Sequence, residues 1–387
     1  MDKFIKGIDL STLEEVERCG AVFYDYGKEM DVFDIVKSYG INYIRIRLWN
    51  DPYDEEGNPY GAGTNDLETF ITLAKRAKAH GMGVLLDLHY SDFWADPGKQ
   101  IKPKAWKDMD ADALEEAIYN YTVDVMQVCK DNDCLPDMVQ CGNELSNGML
   151  WPEGQIFDKS DENFTGRTPE YDNLARFVNA GIRGVKAINP NALIMIHLDN
   201  GGNNKLYRRW FDNYIKRGED FDIIGMSYYP FWHGTLDDLN ANMQDMAKRY
   251  GKEIVIAEVS MGYTMQDYKE YEKLEDKERK GMATKQELVD KIDYPMTKEG
   301  QVAFINDVLN RICNVYNGLG RGFFYWEPAW IPVPGSGWAT PSALEYIKEC
   351  GPCGNEWANQ ALFDYDGNAL PSLKAIRDYK PVRKLRK

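Results

Sequence analysis

The sequence predicts an α/β chain folded as a single (β/α)8 (TIM) barrel over residues 1–387. Two observations lead there. Eight short apolar runs recur along the whole chain, at residues 4–10, 42–49, 83–89, 138–142, 192–197, 222–227, 253–258 and 322–326. Several are continuously apolar rather than alternating, as expected of parallel strands covered on both faces. The stretches between them carry the helical period. Eight strands alternating with helices give a closed parallel barrel, and an open doubly wound sheet is the alternative.

The helical stretches justify themselves by spacing. Residues 66–80 place Leu67, Phe70, Ile71, Leu73, Ala74 and Ala77 on one face, with Gly81 as a C-terminal stop. Residues 111–129, 171–188, 236–250 and 299–316 read similarly. No tandem repeat, low-complexity tract or Pro/Ser/Gly-rich linker divides the chain, so one domain is expected although a length prior alone would allow two or three.

Composition narrows the function. The net charge is −16, from 46 Lys and Arg against 62 Asp and Glu. Such a chain lacks the basic face that a nucleic-acid binder needs, and anionic membrane surfaces repel it. Uncharged sugars remain compatible, and 10 Trp, 24 Tyr and 15 Phe offer platforms for flat rings. No run approaches the ~20 apolar residues of a membrane span. The first ten residues carry Asp2, Lys3, Lys6 and Asp9 and no apolar h-region, so no signal peptide is expected. Seven cysteines, an odd number, fit reduced thiols. A cytoplasmic location is therefore expected, or an extracellular one if a leader has been trimmed. Cys350 and Cys353 form a single CxxC with no second pair or His pair nearby, which fits free thiols better than a local disulfide or zinc.

In a barrel, chemistry sits at the C-terminal ends of the strands and in the loops after them. Polar groups cluster there: Asp9 after the first run, Arg45, Arg47 and Trp49 on the second, His89-Tyr90 after the third and Asn143-Glu144 after the fourth. His197 ends the fifth with Asp199-Asn200 following, Tyr228-Tyr229 end the sixth, Glu258 ends the seventh and Trp326-Glu327 the eighth. Glu144 and Glu258 stand out as a pair. A lone Glu at such a place reads as an ion-pair partner of an Arg, but two on different strands, the first preceded by Asn, fit the acid/base and nucleophile of a retaining glycosidase. Arg45 is expected to keep the nucleophile ionised, Asn143 to bond the sugar 2-hydroxyl, and Trp326 to floor the cleavage point, with Trp94 and Trp330 flanking the cleft. His89 and His197 fit either sugar contact or support of neighbouring side chains. No HxH or HExxH spacing supports a metal site.

The stretches GIDLS, YIRIRLW, LDLHYSDFWADPGKQ, QCGNELSNGMLWP, IMIHLDNG, IGMSYYPFWHGTL, IVIAEVSMGYT, FFYWEPAW and WANQALFDYDGNALPSL run in this order along nearly the whole chain. With them the chain resembles the glycoside hydrolase family 53 endo-β-1,4-galactanases, members of the retaining (β/α)8 glycosidases of clan A. The resemblance implies Glu144 as acid/base and Glu258 as nucleophile, acting on β-1,4-linked galactose in galactan and type I arabinogalactan. The expected substrate-binding set is Asp9, Arg45, His89, Trp94, Asn143, His197, Tyr228, Trp326 and Trp330, on a monomer with no cofactor and no metal. A β-1,4-mannanase, cellulase or β-galactosidase shares the Asn-Glu/Glu pair and is the alternative within the clan. A non-catalytic galactan-binding barrel would have lost a carboxylate, and a metal-dependent barrel hydrolase would need clustered ligands.

The chain departs from the family in four places. Cys141 replaces an aliphatic residue two before Asn143, and a buried Cys serves as a small hydrophobe. Residues 155–172 carry Lys159, Asp161, Glu162 and Arg167. No leader is visible, whereas the long-chain galactanases are exported. The segment 260–298 interleaves Lys269, Lys273 and Lys277 with Asp267, Glu270, Glu272, Glu275 and Asp276, and lacks the run that binds calcium in many bacterial members. That pattern suits a solvated helix face better than a ligand cage, so no structural calcium is expected there.

Overall fold

The computed structural model describes residues 4–156, 170–267 and 285–382. Eight parallel strands close into a barrel: β1 (Ile5–Asp9), β2 (Tyr43–Leu48), β3 (Gly83–Leu88), β4 (Met138–Cys141), β5 (Leu193–Leu198), β6 (Ile223–Tyr228), β7 (Glu253–Val259) and β8 (Gly320–Tyr325). Each apolar run of the sequence became one of these strands. Closure is made by β1, which pairs with β2 at Gly7 and Tyr43 and with β8 at Ile5 and Gly322.

A helix follows each strand: α1 (Val32–Ser38), α2 (Leu67–Ala79), α3 (Ala111–Asp131), α4 (Glu170–Ile188), α5 (Asn204–Tyr214), α6 (Leu236–Tyr250), α7 (Lys298–Cys313) and α8 (Pro371–Asp378). Their starts are written in short polar residues. Asp66 and Asp110 accept from the backbone N–H of Thr69 and Ala113, and Thr235 and Asp238 cap α6 reciprocally. No described helix is long and apolar enough to cross a membrane. The expected helix 299–316 stops earlier, at Cys313, because Val315 turns extended and Asn317 takes a positive φ of 53°.

The barrel interior is filled rather than hollow. Ile5, Tyr43, Leu85, Met138, Met195, Ile223, Val255, Ala257 and Phe324 form a buried cluster of their own inside the strands. Large and small residues alternate across it, as a tapered barrel requires. Gly7 leaves the space that the Phe324 ring occupies: a Cβ there would come within 2.4 Å of the ring. Gly83 does the same for Tyr43, at 2.3 Å. This plug carries the floor on which the strand-end residues stand. Gly7→Val should therefore overpack the closing strand and cost about 1–3 kcal/mol. A lowered midpoint in thermal or denaturant unfolding is the expected reading, and an unchanged midpoint would show that the layer has room to spare.

Candidate active site

The polar ends of the strands converge on one buried guanidinium. Arg45, on β2, is 1% exposed. Its Nη1 donates to Asp9 Oδ2 at 2.8 Å, while Nη2 donates to Asp87 Oδ2 at 2.7 Å and Asn143 Oδ1 at 3.0 Å and lies 2.9 Å from Glu258 Oε1. Burial opposes the charge on Arg45, but Asp87, Glu258 and Asp9 outweigh it and raise its pKa. For Asp87, too, burial works against ionisation, yet Arg45 and His89 keep its pKa below the ordinary value. His89 Nδ1 accepts from Trp49 Nε1 and Ala95 N, which leaves Nε2–H to donate to Asp87 Oδ2 at 3.0 Å.

Glu144 and Glu258 face each other above this network. Glu144 follows β4 in the left-handed region, at φ 49° and ψ 56°, a conformation that costs a non-glycine residue free energy and turns its side chain inward. Trp210 Nε1 anchors the turn by donating to Leu145 O at 2.8 Å. A carboxylate oxygen of Glu144, one of Glu258 and a ring nitrogen of His197 all lie within 4.8 Å of one another. Both nitrogens of His197 are already engaged, Nε2 with Ser227 and Nδ1 with Gln140 and Asn143.

The two carboxyls differ in their donors. Glu258 receives Arg45 and the Tyr229 hydroxyl, the latter at 2.7 Å. Burial raises its pKa above the ordinary value, and Arg45 and Tyr229 offset only part of that rise. Glu144 receives the Ser227 hydroxyl at 2.6 Å. Burial, then the charges of Glu258 and Asp199, push its pKa well above the usual carboxylate range. Asp199, after β5, is itself raised to about 6 by burial. Of the two, Glu144, which has no cation beside it, is pushed the further up.

A cleft of about 340 Å³ opens over them. Of the expected site residues, Glu144, Glu258, Arg45, His89, Trp94, Asn143 and Trp326 line it. Four do not. Asp9 is fully buried beneath Arg45, its second oxygen taken by Ser11. His197 is fully buried behind Asn143. Tyr228 points out of the barrel, its hydroxyl donating to Gly234 O at 3.2 Å and its ring against Phe304 of α7. Trp330 is 1% exposed and packs edge-on behind Trp326, ring centroids 5.9 Å apart. These four lie behind or beneath the lining rather than on it.

The sequence reading missed Tyr229, Trp232, Trp338 and Trp357, which also line the cleft. Strand alternation was the available signal for Tyr229: if Tyr228 faces a helix, its neighbour turns inward. Trp94 owes its place to a second buried pair. Glu327, raised to about 7 by burial, accepts from Arg47 at 2.5 Å and Thr12 Oγ1 at 2.6 Å, and the Arg47 guanidinium lies 4.2 Å over the Trp94 ring. Cys350 lines the cleft wall; it, Cys353 and the other five cysteines are free. In the segment after β7, Asp267 is described, and the remaining acidic and basic residues of the calcium expectation lie outside the described residues, as do Lys159, Asp161, Glu162 and Arg167.

Fold and site together define a barrel hydrolase with a two-carboxylate centre. The chain belongs to glycosyl hydrolase family 53, whose family model matches residues 5–376. It is 38% identical to an endo-beta-1,4-galactanase of Bacillus subtilis over 97% of this chain and 85% of that one. It is 33% identical to an arabinogalactan endo-beta-1,4-galactanase of Thermothelomyces thermophilus, over 96% of this chain and 98% of the other. Among solved structures, the GH53 catalytic domain of Ignisphaera aggregans matches with a TM-score of 0.83 at 40% identity, over 97% of this chain and 96% of that one.

Arg45 also holds the site together mechanically. Arg45→Met should leave Asp9, Asp87 and Glu258 buried without their cation and destabilise the fold by about 3–5 kcal/mol. Urea unfolding measures this; a loss below ~1 kcal/mol would mean that water or proton uptake substitutes readily for the guanidinium.

Proposed function

We propose that this chain hydrolyses β-1,4-galactosidic bonds in galactan, type I arabinogalactan or oligosaccharides derived from them, with net retention of anomeric configuration. The carrying observation is the close approach of Glu144 and Glu258, with carboxylate oxygens within 4.8 Å at the ends of β4 and β7. Retaining glycosidases hold their carboxyls ~5–5.5 Å apart, while inverting ones leave ~6.5–9.5 Å for a water. The galactosidic substrate is supported by the names of the Bacillus and Thermothelomyces relatives.

The steps follow from the donors. Glu258, kept ionised by Arg45 and Tyr229, attacks the anomeric carbon. Glu144, kept protonated by burial and by the charge of Glu258, gives its proton to the departing glycosidic oxygen. The covalent glycosyl-enzyme forms, and the same Glu144, now a base, takes a proton from the water that releases the sugar. Trp326 and Trp94, with centroids 6.2 Å apart, offer apolar faces to the ring being cleaved. Seven free cysteines support a reducing, cytoplasmic setting.

NMR of the first-formed product from β-galactan should show the β-anomer, and an initial α-anomer would refute the mechanism. A 2-fluoro-galactoside inactivator should label Glu258 and no other residue. Glu144→Ala should cripple cleavage of galactan, spare activated aryl galactosides at the first step, and recover turnover with azide. Full activity of Glu144→Ala on galactan would remove it as the acid. Activity should fall on the acid side as Glu258 takes up a proton and on the alkaline side as Glu144 loses its own. Trp326→Ala should cost roughly 2–4 kcal/mol of transition-state stabilisation, read from kcat/KM. An unchanged kcat/KM would take Trp326 out of the site.

A further inference from the structure

Behind Glu144 runs a chain of buried side chains that none of these steps uses. Ser227 Oγ donates to Glu144 Oε1 at 2.6 Å. His197 Nε2 lies 2.8 Å from the same Oγ, and His197 Nδ1 lies 3.0 Å from Gln140 Nε2. Gln140 Nε2 in turn donates to Asp87 Oδ1 at 2.6 Å, so the chain ends on a carboxylate paired with Arg45. Ser227 and His197 are each 0% exposed and do not line the cleft. Whatever they do for the reaction, they do through Glu144.

Proton counting restricts the arrangement. A serine hydroxyl carries one proton. If Ser227 gives it to Glu144, the Oγ lone pair is free to accept, and His197 must supply Nε2–H. Nδ1 is then an acceptor, matched by Gln140 Nε2–H. His197 Nδ1 also lies 3.0 Å from Asn143 Oδ1, which accepts from Arg45, while the two Gln140 Nε2 protons go to Asp87 and to Nδ1 in this arrangement. The other tautomer, with Nδ1–H given to Asn143, would draw the Ser227 proton onto Nε2 and away from Glu144. The two tautomers thus decide whether Glu144 has a donor at Oε1.

We propose that Ser227 and His197 are positioning residues for the general acid: with His197 in its Nε2–H form, Ser227 donates to Glu144 Oε1 in both protonation states and confines the transferable proton to Oε2. The glycosidic oxygen and, later, the attacking water then meet the same oxygen in the same orientation. The inference rests on the reading of Glu144 as acid/base. It extends to pH dependence, because a donor to the carboxylate favours the ionised form and offsets part of the rise imposed by burial. The charged and titratable groups around Glu144 are Glu258 of β7, Asp199 after β5, Asp96 after β3, Tyr229 after β6, Tyr207 of α5 and His197 itself. None is altered in the serine variants.

The test compares pH profiles of kcat/KM for the wild type, Ser227→Ala, Ser227→Cys and Ser227→Thr, on galactan and on an aryl β-galactoside with a good leaving group. Ser227→Ala should move the alkaline limb to higher pH. It should lower kcat/KM on galactan roughly tenfold or more, a part of the ~10²–10⁴-fold that general acid–base catalysis supplies. The aryl substrate should lose much less. Ser227→Thr, which keeps the hydroxyl, should return the limb toward the wild-type position, and Ser227→Cys, a weak donor that stands in if the alanine variant does not fold, should fall between. An alkaline limb that stays put in Ser227→Ala or Ser227→Cys, or an equal loss on both substrates, overturns the inference. If Glu144→Ala behaves as an acid/base variant with azide rescue while that limb stays put, only this inference falls. If Glu144→Ala is fully active on galactan, the reading of Glu144 falls, and this inference with it.

Discussion

A single buried cation shared among several carboxylates is the constraint on which the site depends. Arg45 reaches Asp9 on β1, Asp87 on β3, Asn143 after β4 and Glu258 on β7. One positive charge faces three buried acids, so the balance is delicate. Removing the guanidinium would strand them, since a buried charge without a partner costs several kcal/mol. The surplus of negative charge also has a chemical use. It forbids a second free carboxylate nearby, and Glu144, which lacks the cation, is the group that keeps its proton. In the proposed mechanism, acid and nucleophile are separated by which of them touches Arg45.

The same economy shapes the cleft. Arg47, two residues along β2, points to the same side of the strand and pairs with Glu327 at the end of β8. Its guanidinium face then holds Trp94, and Trp94, Trp326 and Trp330 follow one another at centroid spacings of 6.2 and 5.9 Å. A charged network below thus fixes the aromatic faces above. Cooperation of this kind suits a sugar, whose ring needs an apolar surface on one side and directed donors on the other.

Much of the architecture was legible because it depends on local regularities. The eight apolar runs became the eight strands, and the helix expected over 236–250 spans those residues in the structure, where Thr235 caps it and Gly251 ends it. The pairing of Glu144 with Glu258 was legible because strand ends in a barrel point to one face. Side-chain facing was harder. The residue left over at the register shift is Ala257 on β7, and β6 itself alternates without interruption from inward-facing Ile223 to Tyr229, so the choice between Tyr228 and Tyr229 turned on fixing the facing of one residue of β6. Asp9 and His197 were at the right ends but one layer too deep, a matter of depth that residue type does not encode. Trp330 and Trp326 differ only in which lies behind the other. The wall formed by Cys350, Pro352 and Trp357 comes from a long loop whose path across the cleft no periodicity announces.

The proposed mechanism turns on Arg45 dividing the proton affinities of two adjacent carboxyls. Carbon-13 NMR of the enzyme with side-chain-labelled glutamate, titrated over pH, measures this directly, with the resonances assigned by their disappearance in Glu144→Gln and Glu258→Gln. The account requires Glu258 to ionise first and Glu144 to hold its proton well above the ordinary carboxylate range, with the Glu144 step moving to lower pH once Glu258→Gln removes the neighbouring charge. Ionisation of Glu144 before Glu258, or a Glu144 step unmoved in Glu258→Gln, would contradict it.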